Sequence, residues 1–493
     1  MANPRSQFRC LLGAQELTLE SFDPQRTLLD FLRLEQKLTG TKEGCAEGDC
    51  GACTVLIGRL QHDDVRYHAV NACIVPLGSV DSTQILTVEL VADPQPHPVQ
   101  RALETCHGSQ CGFCTPGIAM SLVGLHEACA SGDLSADLPT INDTLAGNLC
   151  RCTGYGPIIE AAQLACTADR PQHLHDLRKT AAKTLKNWAA ERNYLCAGEE
   201  DKTFVAPTNL DTFWATRSRL NDVQLIAGST DVGLWVNKDH KVFSNIIEVS
   251  RIQELQGIHQ SQDRIEIRAA ATVADALKAL APLSRDLETL LRRFGSTQVR
   301  AQATVGGNIA NGSPIGDLAP ALIALDATLT LISTNGKRTI ALEDFFIDYG
   351  KQDRNDDEII LGVSIPLPIP PDFHCWKISK RFDQDISAVS GAFCLKVEDD
   401  TITSARIAFG GMAATPRRAV RCEQALVGAN IQSDVLAPAQ SALEADFSAI
   451  SDMRASAAYR HDVAAGLLEK CLRAIRSRDV TDLYLHPTAE ASH

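Results

Sequence analysis

The chain has 493 residues, enough for about three or four domains that each bury a core. Its 47 basic and 61 acidic residues give a net charge of −14, which argues against nucleic acid or an anionic membrane as a partner. Residues 1–8 lack a secretory signal and no apolar run is long enough to span a bilayer, so we expect a cytoplasmic protein. In that reducing compartment the 17 cysteines are more typical of metal sites than of disulfides.

The first segment is predicted to be a small sheet with one helix. Residues 8–12 and 16–19 predict a hairpin with its turn at Gly13 and Ala14. Thr27 is a suitable N-cap for a helix over the following apolar residues. Residues 54–57 predict a further strand.

A glycine-rich cysteine loop lies within this segment, at residues 43–53. Three cysteines spaced C-x4-C-x2-C, with a fourth further on, follow the plant-type ferredoxin pattern for a [2Fe–2S] cluster. Gly44, Gly48 and Gly51 can take positive φ and let backbone N–H groups point at the sulfur atoms, which helps to set a reduction potential. A structural zinc loop is the alternative, because Cys50 and Cys53 alone would fit it.

The second segment is predicted to be helical and contains two more cysteine pairs. Cys111 and Cys114 precede a helix for which Thr115 is a suitable cap, and Cys150 and Cys152 precede another helix. The two pairs can meet around one metal centre if the helices pack antiparallel. A zinc half-site or buried thiols are the alternative for either pair alone.

The third segment is predicted to be α/β and has two glycine-rich turns. Residues 223–227 predict a strand that leads into a turn at residues 228–233, and a second turn lies at residues 304–318. Small residues in such turns let backbone N–H groups surround a phosphate, so two of them fit a dinucleotide. The first turn spells neither GxGxxG nor a P-loop, and an ordinary turn is the alternative.

The cysteine loop, GSQCGFCTPG at residues 108–117 and GNLCRCTGYGPI at residues 147–158 together resemble the iron–sulfur part of the molybdenum hydroxylases. This family includes xanthine dehydrogenase, aldehyde oxidase and carbon monoxide dehydrogenase. The resemblance implies one cluster in a β-grasp ferredoxin domain, on Cys45, Cys50, Cys53 and Cys73. It implies a second cluster in a four-helix bundle, on Cys111, Cys114, Cys150 and Cys152. Gln110 would approach the molybdopterin, and the other cysteines, including Cys106, are interpreted as ordinary thiols.

The later segments resemble the family's two flavoprotein domains, through AGSTDVG, VGGNI and SPIGDL. The first is an α+β FAD-binding domain of the vanillyl-alcohol-oxidase-like type. The implied FAD contacts are Leu225, Ile226, Ala227, Gly228, Ser229, Thr230, Asp231, Phe294, Val305, Gly306, Gly307, Asn308, Ser313, Asp317, Leu318 and Lys380. Core packing is the alternative for Phe294 and Leu318. In the α+β C-terminal domain, Asp383 and Asp385 would lie beside the flavin and tune access of NAD⁺ or oxygen, with simple solvation as the alternative.

A multidomain α+β protein follows from these resemblances. The predicted ranges are 1–88 for the ferredoxin domain, 89–167 for the helical cluster domain, 168–203 for a linker, 204–372 for the FAD domain and 373–485 for the C-terminal domain. The linker is expected to be polar and partly helical, with charged side chains such as Arg178 facing solvent.

The resemblance implies an electron-transfer subunit, with no catalytic residue of its own, that works with a separate large molybdopterin-binding subunit. A chain that joins iron–sulfur and FAD parts without the molybdenum part is characteristic of bacterial family members that oxidise hypoxanthine and xanthine to urate with NAD⁺. We therefore expect this activity, in a heterotetramer of two small and two large subunits. The alternatives are the same subunit type serving aldehydes or other N-heterocycles, a stand-alone FAD/iron–sulfur diaphorase, and a zinc-binding scaffold.

Overall fold

The computed structural model describes residues 3–92, 95–199 and 201–477, and the chain divides into two compact units. Unit one runs to Gln256 and adds Thr272–Ala274 and Gly295–Thr304, whereas unit two takes Gly257–Ala271, Asp275–Phe294 and the chain from Val305 onward. Both units combine helices with sheets, which confirms the predicted multidomain α+β fold. Among the helices in the described ranges, none is long and apolar enough to cross a bilayer.

The N-terminal part of unit one is a five-stranded sheet with a helix packed against it. In spatial order the strands are Gln15–Leu19, Phe8–Leu12, Gln84–Leu86, Thr54–Gln61 and Asp64–Asn71. The first two strands form the predicted antiparallel hairpin. Thr27 caps the helix Leu28–Asp30 as predicted, and the chain continues as a π-helical turn over Phe31–Glu35. Two short 3₁₀ turns, Ala72–Ile74 and Leu77–Val80, complete this part, which is the predicted ferredoxin fold.

Four helices form the next part of unit one, as predicted. They are Pro98–Thr105, Thr115–Ala130, Leu138–Leu145 and Gly156–Ala165. Their apolar faces meet in a core that includes Ile118, Leu122 and Ile158. The predicted cap at Thr115 is wrong by one residue, because Cys114 already has helical φ and ψ and itself stands at the cap position.

The helices Thr115–Ala130 and Gly156–Ala165 run in the same direction, so the two cysteine pairs meet without the antiparallel packing on which their meeting was made conditional. Both cysteine pairs precede the N-terminal ends of these helices, where the thiols of Cys114 and Cys150 share a hydrogen bond. The thiols of Cys129 and Cys166 share another at the C-terminal ends. Antiparallel neighbours would instead bring opposite ends together.

The segment predicted to be a solvated linker contains a packed helix, Gln172–Ala190. Ala181 and Leu185 are buried and pack against the ferredoxin sheet. Arg178 is only 8% exposed, and its Nη2 lies 2.6 Å from Oδ2 of Asp64. The expectation that this charged run faces solvent holds for Lys179, Lys183 and Lys186, which are exposed, but it is wrong for Arg178, because one face of the helix joins the core.

The remainder of unit one is a second five-stranded sheet. In spatial order its strands are Asn3–Arg5, Asn193–Glu199, Lys202–Ala206, Asn245–Glu248 and Val223–Ile226. Helices Leu210–Arg217, Val232–Asn237 and Thr297–Arg300 and a 3₁₀ turn at Gln253–Leu255 accompany it. The strand predicted at residues 223–227 is confirmed. The first strand of the chain, by contrast, joins this sheet rather than the ferredoxin sheet.

Unit two contains a five-stranded antiparallel sheet and a short hairpin. In spatial order the sheet is Ile258–Gln260, Arg264–Arg268, Ile359–Pro366, Thr328–Ser333 and Gly336–Ala341, and the hairpin is Phe346–Asp348 with Lys351–Gln352. Its helices are Arg285–Arg292, Val305–Asn311, Leu318–Ala324 and Leu342–Phe345. The helix Val273–Leu280 also belongs here, except for its first two residues, which are part of unit one.

The C-terminal part of unit two is a four-stranded antiparallel sheet followed by three helices. These elements are Phe373–Ile378, Val389–Glu398, Thr401–Gly410 and Arg417–Arg418, then Val420–Leu426, Leu436–Asp446 and Ala457–Ser477. Phe393, Phe409 and Leu468 are fully buried in their shared core. Residues 478–485 of the predicted C-terminal domain lie outside the described part of the chain.

Candidate iron–sulfur and flavin sites

The first cysteine loop brings its predicted ligands together. The thiol of Cys45 shares hydrogen bonds with those of Cys50 and Cys73, and Cys73 also contacts Cys53. Hydrogen bonds from its two neighbours lower the pKa of Cys45, and the same bonds raise the pKa of Cys50 and of Cys73. None of the four forms a disulfide. Four free thiols in contact, one of them favouring the thiolate, are suited to binding iron.

Backbone geometry supports the same role for this loop. The N–H groups of Glu47, Asp49 and Cys50 donate to Sγ of Cys45 at 3.4, 3.4 and 3.3 Å. Gly48 and Gly51 have φ of +79° and +67°, which is the conformation expected of them.

Gly44 serves a different purpose from the one predicted. It does not belong to the residues with positive φ, so that prediction is wrong. A Cβ atom at this position would instead lie 2.7 Å from Sγ of Cys50. Gly44 therefore provides space next to the thiol of Cys50, a predicted ligand.

The second set of cysteines meets in two pairs. The thiol of Cys114 contacts that of Cys150, and the thiol of Cys152 contacts that of Cys111. Burial raises the pKa of Cys114 to about 12. Metal binding at this position must therefore displace a proton that the metal-free protein holds firmly.

Tyr155 fixes the turn that carries the second pair. Its hydroxyl accepts a hydrogen bond from the N–H of Cys150 at 2.9 Å and donates one to the carbonyl of Asn148 at 2.9 Å. Tyr155 has a φ of +68°, and it directly precedes the helix Gly156–Ala165. Sequence reasoning missed this residue, since a tyrosine between two glycines is not distinctive.

The two cysteine loops contact each other through their backbones. The N–H of Leu149 donates to the carbonyl of Cys50 at 3.0 Å, and Nδ2 of Asn148 donates to the carbonyl of Gly51 at 3.0 Å. A Cβ atom on Gly117 would lie 2.2 Å from that same Gly51 oxygen. Cys50 is a predicted ligand of the first site and Leu149 directly precedes Cys150, a predicted ligand of the second, so the two candidate sites adjoin.

The arrangement of donors fits two-iron clusters better than zinc. Within the described ranges, no group of three or more His, Cys, Asp or Glu side chains is arranged around a single metal position. In the second set the thiols meet in twos, as a [2Fe–2S] cluster requires for its two irons, whereas structural zinc takes four ligands on one ion.

Two polar residues that the sequence did not single out reach the first loop from the helix Val232–Asn237. Nδ2 of Asn237 donates to the carbonyls of Cys73 and Ala46 at 2.7 and 3.0 Å. Nζ of Lys238 donates to the carbonyl of Cys45 at 2.5 Å. No local spacing could have found them, because they follow the loop by more than 160 residues.

Surface exposure distinguishes the second site from the first. Gln110, Cys111 and Cys152 are exposed, and Phe113 is 47% exposed beside them. By contrast, Cys53 and Cys73 are buried. On the described surface of unit one, the second site is therefore more accessible than the first, and a role for Gln110 stays a prediction.

The first predicted flavin loop, residues 225–231, lies in unit one. A Cβ atom on Gly228 would stand 1.9 Å from the carbonyl oxygen of Gln302, so only glycine fits there. Ser229 has a φ of +60° and is 5% exposed. In the described structure, neither Oγ of Ser229 nor Oε1 of Gln302 has a hydrogen-bond partner, although both are buried. Unpaired buried polar atoms at a glycine turn fit a site for a polar ligand.

The other predicted flavin residues lie in unit two. The N–H groups of Val305 and Gly306 donate to the carbonyls of Ala271 and Ala269, at 2.9 Å each. These two groups are therefore already occupied within the protein. Gly306 also approaches Ala269 so closely that a Cβ atom would lie 2.5 Å from the alanine Cβ.

Asp317 belongs to a buried ion pair. Its Oδ2 lies 2.7 Å from Nζ of Lys377, and its Oδ1 accepts a hydrogen bond from Ser387. Leu318 is 3% exposed, which favours the core-packing alternative for that residue. Lys380 is exposed and donates to the carbonyl of Met453 at 3.1 Å.

Asp385 shapes its own loop. Its carboxylate accepts hydrogen bonds from the N–H groups of Arg381 and Ile386 at 2.9 and 3.1 Å. A role for Asp385, or for Asp383, in access to the flavin stays a prediction. The same holds for Phe294, Gly307, Asn308 and Ser313 as FAD contacts.

Family models match four consecutive parts of the chain. A "2Fe-2S iron-sulfur cluster binding domain" matches residues 13–78, and a "[2Fe-2S] binding domain" matches residues 87–163. An "FAD binding domain in molybdopterin dehydrogenase" matches residues 199–368, and a "CO dehydrogenase flavoprotein C-terminal domain" matches residues 374–475. The two predicted iron–sulfur domains and the FAD-binding domain are thereby confirmed.

Two similar proteins are plant xanthine dehydrogenases. Xanthine dehydrogenase 1 of Arabidopsis thaliana is 31% identical over 493 residues, which cover 85% of this chain and 36% of the plant protein. The xanthine dehydrogenase of Oryza sativa subsp. japonica is 34% identical, over an alignment that covers 82% of this chain and 35% of the rice protein. The chain thus spans little more than a third of the length of these relatives.

Solved structures show the same fold in other enzymes. Carbon monoxide dehydrogenase from Hydrogenophaga pseudoflava matches with a TM-score of 0.53 and 24% identity, over 57% of this chain and 98% of the matched chain. Quinoline 2-oxidoreductase from Pseudomonas putida 86 matches with a TM-score of 0.51 and 22% identity, over 56% of this chain and 96% of the matched chain. With two iron–sulfur domains, an FAD domain and a flavoprotein C-terminal domain in one chain, the protein is an iron–sulfur and FAD electron-transfer module of the molybdenum hydroxylase family.

Proposed function

We propose that the chain is the small subunit of a xanthine dehydrogenase that oxidises hypoxanthine and xanthine to urate. It takes electrons from a molybdenum centre on a partner subunit and passes them through two [2Fe–2S] clusters and FAD to NAD⁺. The observation that carries this proposal is the direct backbone contact between the two cysteine loops, at Cys50 and Leu149. The identity to xanthine dehydrogenases, 31–34%, supports the choice of substrate.

The chemistry of the relay explains why these sites occur together. When bound, the clusters carry one electron at a time, and the flavin combines single electrons into the hydride that NAD⁺ accepts. Residues of this chain hold the relay in order. The exposed second site faces the partner, the buried first site follows it, and the flavin loop comes next through the helix Val232–Asn237.

The partner in this proposal is a large molybdopterin-binding subunit. The xanthine dehydrogenases extend well beyond the part that this chain covers, which leaves room for a molybdenum region on another chain. Gln110, next to the exposed Cys111, would face the molybdopterin. A heterotetramer of two small and two large subunits and a cytoplasmic location stay predictions.

FAD would lie on the residues predicted from the family resemblance. The unpaired Oγ of Ser229 and the constrained Gly228 support the part of this set in unit one. In unit two, Asp317 would act mainly through its ion pair with Lys377, because both of its carboxylate oxygens already have partners.

A related substrate is the second candidate. The structural likeness to carbon monoxide dehydrogenase and quinoline 2-oxidoreductase favours the same type of subunit in a hydroxylase for another substrate, such as an aldehyde or N-heterocycle. Both versions require a molybdenum partner. A stand-alone diaphorase does not require one.

Purification of the native complex tests the proposal. We expect about four irons and one flavin per chain, a copurifying molybdenum subunit, and NADH formation with xanthine. A Gln110→Ala variant should slow reduction of the clusters by xanthine but not by NADH. Colourless protein that contains zinc would refute the relay. Full cofactors with activity only towards another substrate would favour the second candidate.

A further inference from the structure

One short helix connects the predicted flavin loop to the first cysteine loop. The helix Val232–Asn237 starts directly after the flavin loop, residues 225–231. Near its start, a Cβ atom on Gly233 would lie 2.8 Å from the carbonyl oxygen of Ile74, the residue that follows Cys73. The helix therefore packs directly against the chain at a cluster ligand.

The end of the same helix holds three carbonyls of the cysteine site. Asn237 bridges the carbonyls of Ala46 and Cys73 with one amide group, so it joins the loop to the distant fourth ligand. The next residue, Lys238, donates to the carbonyl of Cys45. These bonds fix the positions of two ligand residues without using their sulfur atoms.

Lys238 also places a positive charge beside an acidic loop. The sequence of this loop contains Glu43, Glu47 and Asp49 around the cysteines. Nζ of Lys238 lies 3.6 Å from Oε2 of Glu47, and both side chains are 44% exposed. The charge is thus close to the site but still accessible to ions from solvent.

We propose that Asn237 and Lys238 are positioning residues that hold the first cluster loop against the flavin-loop helix, and that Lys238 raises the reduction potential of the cluster. The inference rests on the proposed function, since it assumes that Cys45, Cys50, Cys53 and Cys73 hold that cluster. Reduction adds one negative charge to the cluster, so a nearby ammonium stabilises the reduced form more than the oxidised form. The carboxylate of Glu47 has the opposite effect.

Redox titration of the intact holoprotein, followed by electron paramagnetic resonance, tests the charge effect. Lys238→Met should lower the equilibrium constant for reduction of this cluster about threefold to tenfold, which at 59 mV per tenfold is a shift of about −30 to −60 mV. Lys238→Arg should restore the potential, and Glu47→Gln should raise it. Both shifts should shrink at high ionic strength, because the charges are half exposed.

Lys241→Met provides the matched control. It removes the same charge three residues later, where Nζ of Lys241 lies 4.6 Å from the ring centre of Trp235. We expect its potential to equal that of the wild type. An unchanged potential in Lys238→Met, or an equal shift in Lys241→Met, would overturn the role of Lys238.

Asn237→Leu tests the positioning role, because leucine has a similar shape but no hydrogen-bond donor. Backbone amides of residues 43–53 should exchange hydrogen faster in this variant, and NADH should reduce the first cluster more slowly while flavin content stays complete. Hydrogen exchange and a reduction rate equal to those of the wild type would refute the positioning role of Asn237. Wild-type protein without a cluster on this loop would instead refute the proposed function, so the two failures are distinguishable.

Discussion

The contact between the helical domain and the ferredoxin loop predicts that Gly117→Ala destabilises unit one. A Cβ atom there would lie 2.2 Å from the carbonyl oxygen of Gly51 and 3.1 Å from Cα of Ala52, both of which are backbone atoms. Neither can move by a change of rotamer, so we expect a cost of about 3 kcal/mol, at the upper end for overpacking. Alanine has the better helix propensity by about 1 kcal/mol, which leaves a net loss of about 2 kcal/mol.

Gly124→Ala in the same helix is the control for this prediction. Its Cβ atom would meet only Cδ2 of Leu56, at 3.2 Å, and this methyl group can yield. Gly124→Ala should therefore be neutral or stabilise the protein by up to about 1 kcal/mol. Heating the holoprotein while following cluster absorbance should give a Tm about 4–8 °C lower for Gly117→Ala than for the wild type. If Gly117→Ala melts at or above the temperature of Gly124→Ala, the argument from backbone contact is wrong.

Three further outcomes follow from buried groups. Burial and the neighbouring His126 lower the pKa of His97 to about 3, against a usual value of about 6.5. Below pH 6.5 the unfolded chain therefore binds more protons than the folded protein, so the free energy of unfolding falls on acidification. From pH 7 to pH 5 His97 should lower the free energy of unfolding by about 2 kcal/mol. Denaturant unfolding of the His97→Asn variant should show a pH-dependent loss that is smaller by this amount. Lys377→Met should cost about 3–5 kcal/mol by leaving the Asp317 carboxylate buried without its cation, and the added change Asp317→Leu should recover stability in the same measurement. Gly228→Val should yield protein with full iron but without flavin on cofactor analysis, and full flavin would contradict the role of this turn.

Local patterns were sufficient for much of the fold and for a hypothesis about the cluster ligands. The hairpin, the cap at Thr27 and the four helices each depend on residues close together in sequence. Candidate ligands are also recognisable, because thiolates and glycines must surround a cluster within a short loop. Such features are visible in a single sequence.

The packed helix at residues 172–190 was missed for a physical reason. Its buried face combines Ala181 and Leu185 with Arg178, whose charge is compensated by Asp64. An arginine on an apolar face looks like a solvated position until its distant partner is known. Tertiary ion pairs of this kind are not encoded in local periodicity.

Glycine gave an ambiguous signal for a related reason. Gly48 needs positive φ, whereas Gly44 and Gly117 need space, and a sequence shows only the absence of a side chain in each case. Which of the two applies depends on what stands opposite, and that residue can be far away in the chain. The predicted phosphate turn at Gly306 shows the consequence, since its N–H already donates to Ala269.

The contacts of the first cysteine loop suggest why a single chain carries the relay. Its carbonyls accept hydrogen bonds from Leu149 and Asn148 on one side and from Asn237 and Lys238 on the other. Electron transfer becomes steeply slower with distance, so a loop held from both sides keeps each step short. Gly51, Gly117 and Gly233 let backbone approach backbone near these contacts, because a Cβ atom on each would lie 2.0, 2.2 and 2.8 Å from a neighbouring carbonyl oxygen. The loop thus carries three of the predicted ligands of one site and also sets its spacing to the second cysteine site and to the predicted flavin loop.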